Sequence, residues 1–453
     1  MTEHLKVDLV ALNRVAAKHL IAQVRLTNTG TDEKLPWTGE MGDGTRPLGR
    51  IRWASGIGVL DTQARAWILP YQPADFPCLC SDQDRDGLPY FIDPGRSITL
   101  YAVMPAPSGN PSATTVVTPV GPPMADVPIS DEPPVAPAGM MIPDPDAEPV
   151  TTVIRPVVTP SESLDKSEET ADDGTDLHVS LSSDVLFAVD EATLTPRAKA
   201  VLARTAKLID ASTGSTVKVE GHADSSGTDA INNPLSARRA QAVRRALSAL
   251  VTKRDIGFQA RGYGSRRPLY SNDTDEGKRR NRRVTVSFAK PQPAATSVAP
   301  SATAAPGATG LTGTGKADGQ PIAMEVTGLR RLPGGLGLLT YRITNEGDGE
   351  AWFNELHQSR DWMSFKYQAA HNVTLTDVPA RRRYLPARLQ VPDDDGGLDS
   401  YCACSGLSGV RLGTEKFGPG RQREFWSLFA VPEEATTLKV KIASFRDLQV
   451  PVR

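Results

Sequence analysis

The chain has 453 residues, 39% of them hydrophobic and 23% charged, and a formal net charge of -2. That length exceeds what one hydrophobic core supports and indicates about three domains. The balanced charge excludes a globally basic nucleic-acid binder, and no apolar run reaches the roughly 20 residues of a membrane-spanning helix.

The opening, MTEHLKVDLVALNRV, lacks the basic start, apolar centre and small-residue cleavage site of a secretory signal. Two readings follow: a cytoplasmic protein, or one whose first residue here is a mature or mis-assigned start. From there to about residue 130, short apolar runs such as AQVRLTN and SITLYAVM alternate with polar residues and are separated by turn residues. This period-two pattern predicts an all-β sandwich of immunoglobulin-like type over 1–130. Within it, DQDRDGLPYFID places Asp82, Asp84, Asp86, Gly87 and Asp93 at the spacing of an EF-hand-like calcium loop. No helical pattern flanks the loop, and Asp stands where a bidentate Glu is expected, so an acidic surface loop is the competing reading.

Fifteen prolines fall between Pro105 and Pro160, and the acidic SESLDKSEETADDGTD follows. From Pro123 to Asp176 there are 13 acidic and 2 basic residues, a net of -11. Such a composition predicts a disordered, extended linker over 131–176.

Over 177–290 the period changes. DVLFAV reads as a strand, and TPRAKAVLARTAKLIDAS as a helix with Thr195 as N-cap and Pro196 at its first position. TVKVEGHA is a strand, NPLSARRAQAVRRALSALV a helix with Leu235, Val243, Leu247 and Leu250 inward, and IGFQARGYG and RVTVSF further strands. The alternation predicts a small two-layer α+β (βαβαβ) domain. It carries 20 bases against 11 acids, a net of +9.

A second flexible linker is expected over 291–320, and a second sandwich over 321–453. That last segment repeats the first. VRLTNTG returns as YRITNEG, DTQARAWILP as DVPARRRYLP, and PGRSITLYAVMPAP as PGRQREFWSLFAVP. The CLC pair, Cys78 and Cys80, returns as CAC, Cys402 and Cys404. The same elements in the same order indicate two copies of one domain. A local disulfide, a thiolate metal site and free thiols are all conceivable for a C-x-C pair. Two cysteines per domain are too few for a closed zinc site unless the copies pair, so Cys78–Cys80 and Cys402–Cys404 bridges and an oxidising compartment are expected.

The blocks FAVDEATLTPRA, VEGHADSSG, NNPLSARRAQAV, RGYGSRRP and GKRRNRRV occur in this order. Together they resemble the OmpA-like, peptidoglycan-associated domain, which also occurs in peptidoglycan-associated lipoproteins and flagellar stator subunits. The resemblance spans Ser180 to Phe288. It implies a non-covalent anchor that grips the diaminopimelate of the peptidoglycan stem, Asp224 taking the amino end and Arg239 the carboxylate. Asn232 and Asp190 match further ligand-contacting positions. The tandem of CxC-bearing sandwiches around such a centre is similar to exported proteins of actinobacteria.

Elementary chemistry agrees with the resemblance. A zwitterion needs one anionic and one cationic partner, and the planar fork of arginine suits a carboxylate where lysine does not. Placing Arg239 early in a helix would add the positive end of the dipole. The competing reading makes Asp224 a turn or cap residue, with Arg238, Arg244 and Arg245 a solvated helix face. Asn281 is expected to hold a turn, and Arg282 or Arg283 to orient the site. His222 and Asp224 form an H-x-D pair without a third metal ligand nearby. No nucleophile–histidine–acid set stands out, so neither enzymatic activity nor a cofactor is expected. GKRRNRR lacks the interleaved aromatics of a nucleic-acid patch, and attraction to the acidic linker or to wall polymers is the better use. The expected protein is exported and wall-associated. In the alternative, the sandwiches of an envelope scaffold or adhesin bind a protein or glycan and the centre is only a tether.

Overall fold

The computed structural model describes residues 4–45, 53–291, 311–357, 365, 369–392, 398–406 and 416–453. The chain is multidomain and mostly β, with few helices.

Alternating apolar residues pair Leu5–Val15, His19–Asn28 and Ser97–Pro105 into one antiparallel sheet. Gly58–Asp61, Ala66–Pro73, Ala113–Val117 and Met124–Pro128 pair into a second. Leu20, Val24 and Leu100 of the first sheet meet Val59, Ile68 and Val116 of the second in one core that also buries Trp37. At the other end, Thr312–Ala317, Gln320–Leu332, Leu336–Asn345 and Gln422–Ala430 form a four-stranded sheet. Its inner face packs on Val373, Leu375, Val440 and Ile442 around Tyr341, Phe429 and Phe445.

Particular bonds recur between the two ends. Asn28 Nδ2 donates to Glu33 O and Ile92 O while its Oδ1 accepts from Gly30 N. Asn345 does the same with Gly349 O, Phe417 O and Gly347 N. Ser81 Oγ accepts from Tyr101 N, and Ser405 Oγ from Trp426 N, both at 2.9 Å. The cysteine pairs lie at disulfide distance, with Cα separations of 5.3 Å for Cys78 and Cys80 and 5.2 Å for Cys402 and Cys404.

In the centre, Gly257–Gly264 runs parallel to Thr216–His222, which is antiparallel to Arg283–Ala289, itself antiparallel to Asp176–Ser182. The helices Ala198–Asp210 and Asp229–Leu250 cover the sheet, and Val201, Leu202, Val243 and Leu247 meet Val217, Val219, Val284 and Val286. Three details differ from expectation. DVLFAV, expected as a strand, begins instead in the short helix Ser183–Leu186, and the strand at this point of the chain is the preceding Asp176–Ser182. The first covering helix begins at Ala198, with the Thr195 hydroxyl accepting from Ala198 N at 3.3 Å. Leu250, expected inward, is exposed because it ends the second helix beyond the sheet.

The largest correction concerns 131–176, expected to be a disordered linker. Val150–Ser163 is a single 14-residue strand. It pairs with Ala66–Pro73 of the first domain, then with Arg388–Pro392 and Arg382–Tyr384 of the last, and with Glu168–Asp172, which extends the central sheet. Its prolines do not break it, because its pairing partners change along its length and Pro160 supplies only a carbonyl, to Leu385 N at 3.1 Å. Val153, Val157 and Val158 are buried, and several of the acids that signalled disorder are ion-paired: Asp172 lies 3.3 Å from Arg65 and 2.7 Å from Lys290.

The second expected linker, 291–320, is also overdrawn. Residues 292–310 lie outside the described residues, but Thr312–Ala317 is a strand of the last domain. Nor are the end domains held apart by linkers. Leu60, Trp67, Leu69, Val117, Val153 and Val157 pack on Leu336, Leu338, Leu389, Tyr401, Trp426 and Leu428 as one core.

Candidate functional site

The helix Asp229–Leu250 lies close on the sheet because glycines face it. A Cβ on Gly221 would collide with Ser236 O, and one on Gly262 with Ala237 N. This approach fixes Arg239 over the strand ends and beside the loop that carries Asp190.

Arg239 is 7% exposed. Its Nε donates to Glu191 O at 2.8 Å, and its guanidinium lies 5.1 Å from the Phe187 ring centroid. The two Nη groups have no partner among the described residues. Burial pulls the guanidinium pKa down, Asp184 and Asp190 push it back up, and Arg282 and Arg238 lower it further. One part of the expectation fails. Arg239 sits almost three turns into its helix, and helix-dipole effects fade within the first turn, so the dipole adds nothing here.

Asp224 is 5% exposed, at the loop after Thr216–His222. Its Oδ1 accepts from Ser226 N at 2.9 Å, as a turn residue would, and its Oδ2 from Arg282 Nη1 at 2.8 Å. Arg282 also forks onto Asp184, at 3.0 and 2.8 Å. Asp224 and Arg239 are therefore not paired with each other. Arg282 neighbours both, bonding one and repelling the other. The hydrogen bond from Arg282 to Asp184, opposed by burial and aided by Asp224, raises the Arg282 pKa. With about four lone-pair sites and two of them used, Asp224 retains capacity to accept from an ammonium.

Asn232 is buried, donating to Ser226 O at 2.9 Å and Asp224 O at 3.4 Å, so it shapes the Asp224 loop. Asp190 is exposed, takes φ of 59°, and acts on Arg239 through charge.

The OmpA family model matches residues 186–282. The Escherichia coli protein YfiB is 34% identical over 119 residues, which are 26% of this chain and 72% of YfiB. The chain belongs to the OmpA family. Outer membrane porin F of Pseudomonas aeruginosa is 39% identical over 106 residues, 23% of this chain and 30% of the porin. Peptidoglycan-binding protein ArfA of Mycobacterium tuberculosis is 37% identical over 102 residues, 22% of this chain and 31% of ArfA. The chain thus spans about three tenths of the length of these two relatives. Among solved structures, the cell wall anchor of the T6SS from Pseudomonas aeruginosa is 29% identical at a TM-score of 0.26, covering 28% of this chain and 90% of the anchor.

Sequence reasoning missed several groups around the candidate site. Asp184 and the Glu191 carbonyl carry no local signature, and Phe187 reads as an ordinary strand residue. Arg282 was one of two candidates, and the structure separates them. Arg283 is buried, donates to Arg267 O at 3.1 Å, and has its pKa pushed down to about 10 by burial. Asn281 is fully buried and accepts from Leu269 N and Tyr270 N, holding the expected turn.

His222, the other half of the H-x-D pair, is 3% exposed, stacks on Tyr263 at 5.6 Å and leaves Nδ1 without a hydrogen-bond partner. Burial, then the Arg283 and Arg267 charges, pushes its pKa down to about 3. Between about pH 6.5 and 3 the unfolded chain takes up a proton that the folded chain refuses, so stability falls as pH falls through this window. Burial likewise pushes His371 down, to about 4, adding the same sign. Urea unfolding of His222→Phe is expected to show a shallower loss of stability from pH 6.5 to 4.5 than the native chain. An unchanged slope would refute this.

In the acidic loop of the first domain, Asp82 Oδ1 accepts from Asp84 N and Arg85 N, and Asp86 accepts from Asp82 N and pairs with Arg85 at 3.1 Å. These oxygens serve the loop itself. Among the described residues no group of three or more His, Cys, Asp or Glu could hold a metal ion, and no helix is long and apolar enough to cross a membrane.

Proposed function

We propose that the OmpA-family domain binds the peptide stem of peptidoglycan non-covalently and so holds an exported protein on the cell wall, without cutting it. One observation carries this reading. A nine-tenths-buried arginine, Arg239, leaves its Nη groups unpartnered among the described residues near Asp184 and Asp190, and Arg282, whose charge acts on it, also bonds the Asp224 carboxylate. That arrangement suits a diaminopimelate end, its carboxylate in the arginine fork and its ammonium on the carboxylates. The relative ArfA is a peptidoglycan-binding protein, which supports the ligand class.

Co-sedimentation of the full chain with insoluble sacculi tests it. Asp224→Ala and Arg239→Ala are each expected to weaken retention by about 10- to 150-fold, the worth of one charge-assisted hydrogen bond. Arg239→Lys, which keeps the charge and loses the fork, is expected to behave like Arg239→Ala. Native retention by both alanine variants rejects the site.

In the same reading the end domains are two related copies of an immunoglobulin-like sandwich. Their shared asparagine and serine bonds support this. Cys78–Cys80 and Cys402–Cys404 are disulfides formed in an oxidising compartment. Intact mass of the natively exported protein should rise by about four hydrogens on reduction. No mass change excludes the bridges.

A further inference from the structure

We infer that the acidic hairpin joining Val150–Ser163 to Glu168–Asp172, outside the matched domain, positions the ligand site of the OmpA-family domain. Glu162, Glu169, Tyr270 and Arg280 are its positioning residues. The inference rests on the proposed peptidoglycan site at Asp224 and Arg239.

Arg280 lies in the basic run GKRRNRR and is 7% exposed. Its Nη2 donates to Glu162 at 2.5 Å, its Nη1 to Glu169 at 2.8 Å and its Nε to Glu276 at 3.1 Å. Tyr270 donates its hydroxyl to Glu169 and lies under the guanidinium, 5.5 Å from ring centroid to Cζ. The hairpin is held from its far side as well. Arg383 reaches Glu162 at 3.1 Å, and Arg382 reaches Glu168 at 2.9 Å, both from the last domain.

From Arg280 two bonded routes lead to Asp224. The next residue, Asn281, donates to Tyr270 O at 2.7 Å and to Asn272 Oδ1 at 3.0 Å. Asn272 Oδ1 in turn accepts from Ser225 N at 3.1 Å, the residue after Asp224. The residue after Asn281 is Arg282, which holds Asp224 and Asp184 directly. Displacement of Arg280 therefore moves both Arg282, which bonds the Asp224 carboxylate, and the Asn272 contact that holds the adjoining Ser225. A site loosened in its supporting shell loses affinity even with every ligand-contacting side chain intact. The hairpin makes wall affinity a property of the whole chain rather than of residues 186–282 alone.

The test uses the full chain and a diaminopimelate-containing stem tripeptide as probe. Glu162→Gln with Glu169→Gln keeps the shape and removes the charge, and is expected to weaken binding by about 5- to 20-fold. Glu162→Asp is expected to stay within about twofold of native, since the charge remains. Tyr270→Phe removes one hydroxyl and no charge, is the milder arm, and should weaken binding by about two- to fivefold. A purely structural role would leave the Arg282 Nε–H resonance in place. Repositioning shifts it in arginine-labelled protein before ligand is added. Asp224→Ala separates the two readings. If it loses binding while the glutamine pair and Tyr270→Phe bind as native with an unmoved Arg282 signal, the positioning role is overturned and the site stands. If Asp224→Ala itself binds as native, the site is overturned with it.

Discussion

Arg280→Met is expected to lower the stability of the folded chain by about 3–5 kcal/mol, the usual cost of removing one partner from a buried ionic cluster. The reason lies in what stays behind. Glu162 is 3% exposed, and Glu169 and Glu276 would keep carboxylates facing a thioether. In the native chain, burial pulls the Arg280 pKa down, yet Glu169 and Glu162 outweigh it and leave a net rise. Glu276, bonded first by Arg279 and opposed by burial, has its pKa lowered to about 2. Desolvating these charges is costly, and only their mutual bonds offset it. Replacing Arg280, Glu162 and Glu169 together by Met, Leu and Leu is therefore expected to cost less than Arg280→Met alone, since of the three carboxylates only Glu276 remains and Arg279 still holds it at 2.8 Å. Denaturant titration monitored by near-ultraviolet circular dichroism reads both. If Arg280→Met costs no more than an exposed arginine, under about 1 kcal/mol, the cluster contributes nothing of this kind.

That cluster also shows what the sequence could and could not reveal. Both halves of it were visible, a net of -11 before the central domain and +9 within it. The acidic half looked like a disordered linker, and its attraction to GKRRNRR was one of two expected uses of that run, but as a loose contact rather than the buried one between Arg280, Glu162 and Glu169. Composition reports what a segment can bury alone, and Val150–Ser163 buries its valines only against two other domains. The central domain was legible because its helix and strand periods are local. Asp224 and Arg239 could be named as candidates because they stand in ordered blocks, whereas Asp184 and Phe187, which the structure places around them, could not. Asp184 reaches Arg282 across 98 positions, and Glu162 reaches Arg280 across 118, distances over which no period or motif speaks. The dipole argument for Arg239 failed for a plain reason: the helix begins at Asp229, earlier than its proline suggested.

Trp426→Ala is the second large effect, expected to cost about 3–5 kcal/mol and to uncouple the two end domains. The period of two in a strand explains why one residue can do both. In Gln422–Ala430, Phe425 and Phe429 point into the last domain's own core, whereas Trp426 and Leu428 point into the core it shares with the first. Ala66–Pro73 mirrors this, with Ala66 and Ile68 inward and Trp67 and Leu69 shared. The two indoles stack at 6.3 Å with 18° between planes, and Trp426 is 3% exposed. Truncating it leaves each domain's own core intact and opens a cavity only between them. Calorimetry should therefore resolve two transitions in place of a joint one, and the scattering radius should grow. Trp426→Phe retains a stacking ring and should lose less than half as much. Strand pairing through Val150–Ser163 remains in both variants, so the domains stay tethered at one edge and open about it. A single undisturbed transition in Trp426→Ala would mean that this strand, rather than the tryptophan pair, holds the ends together.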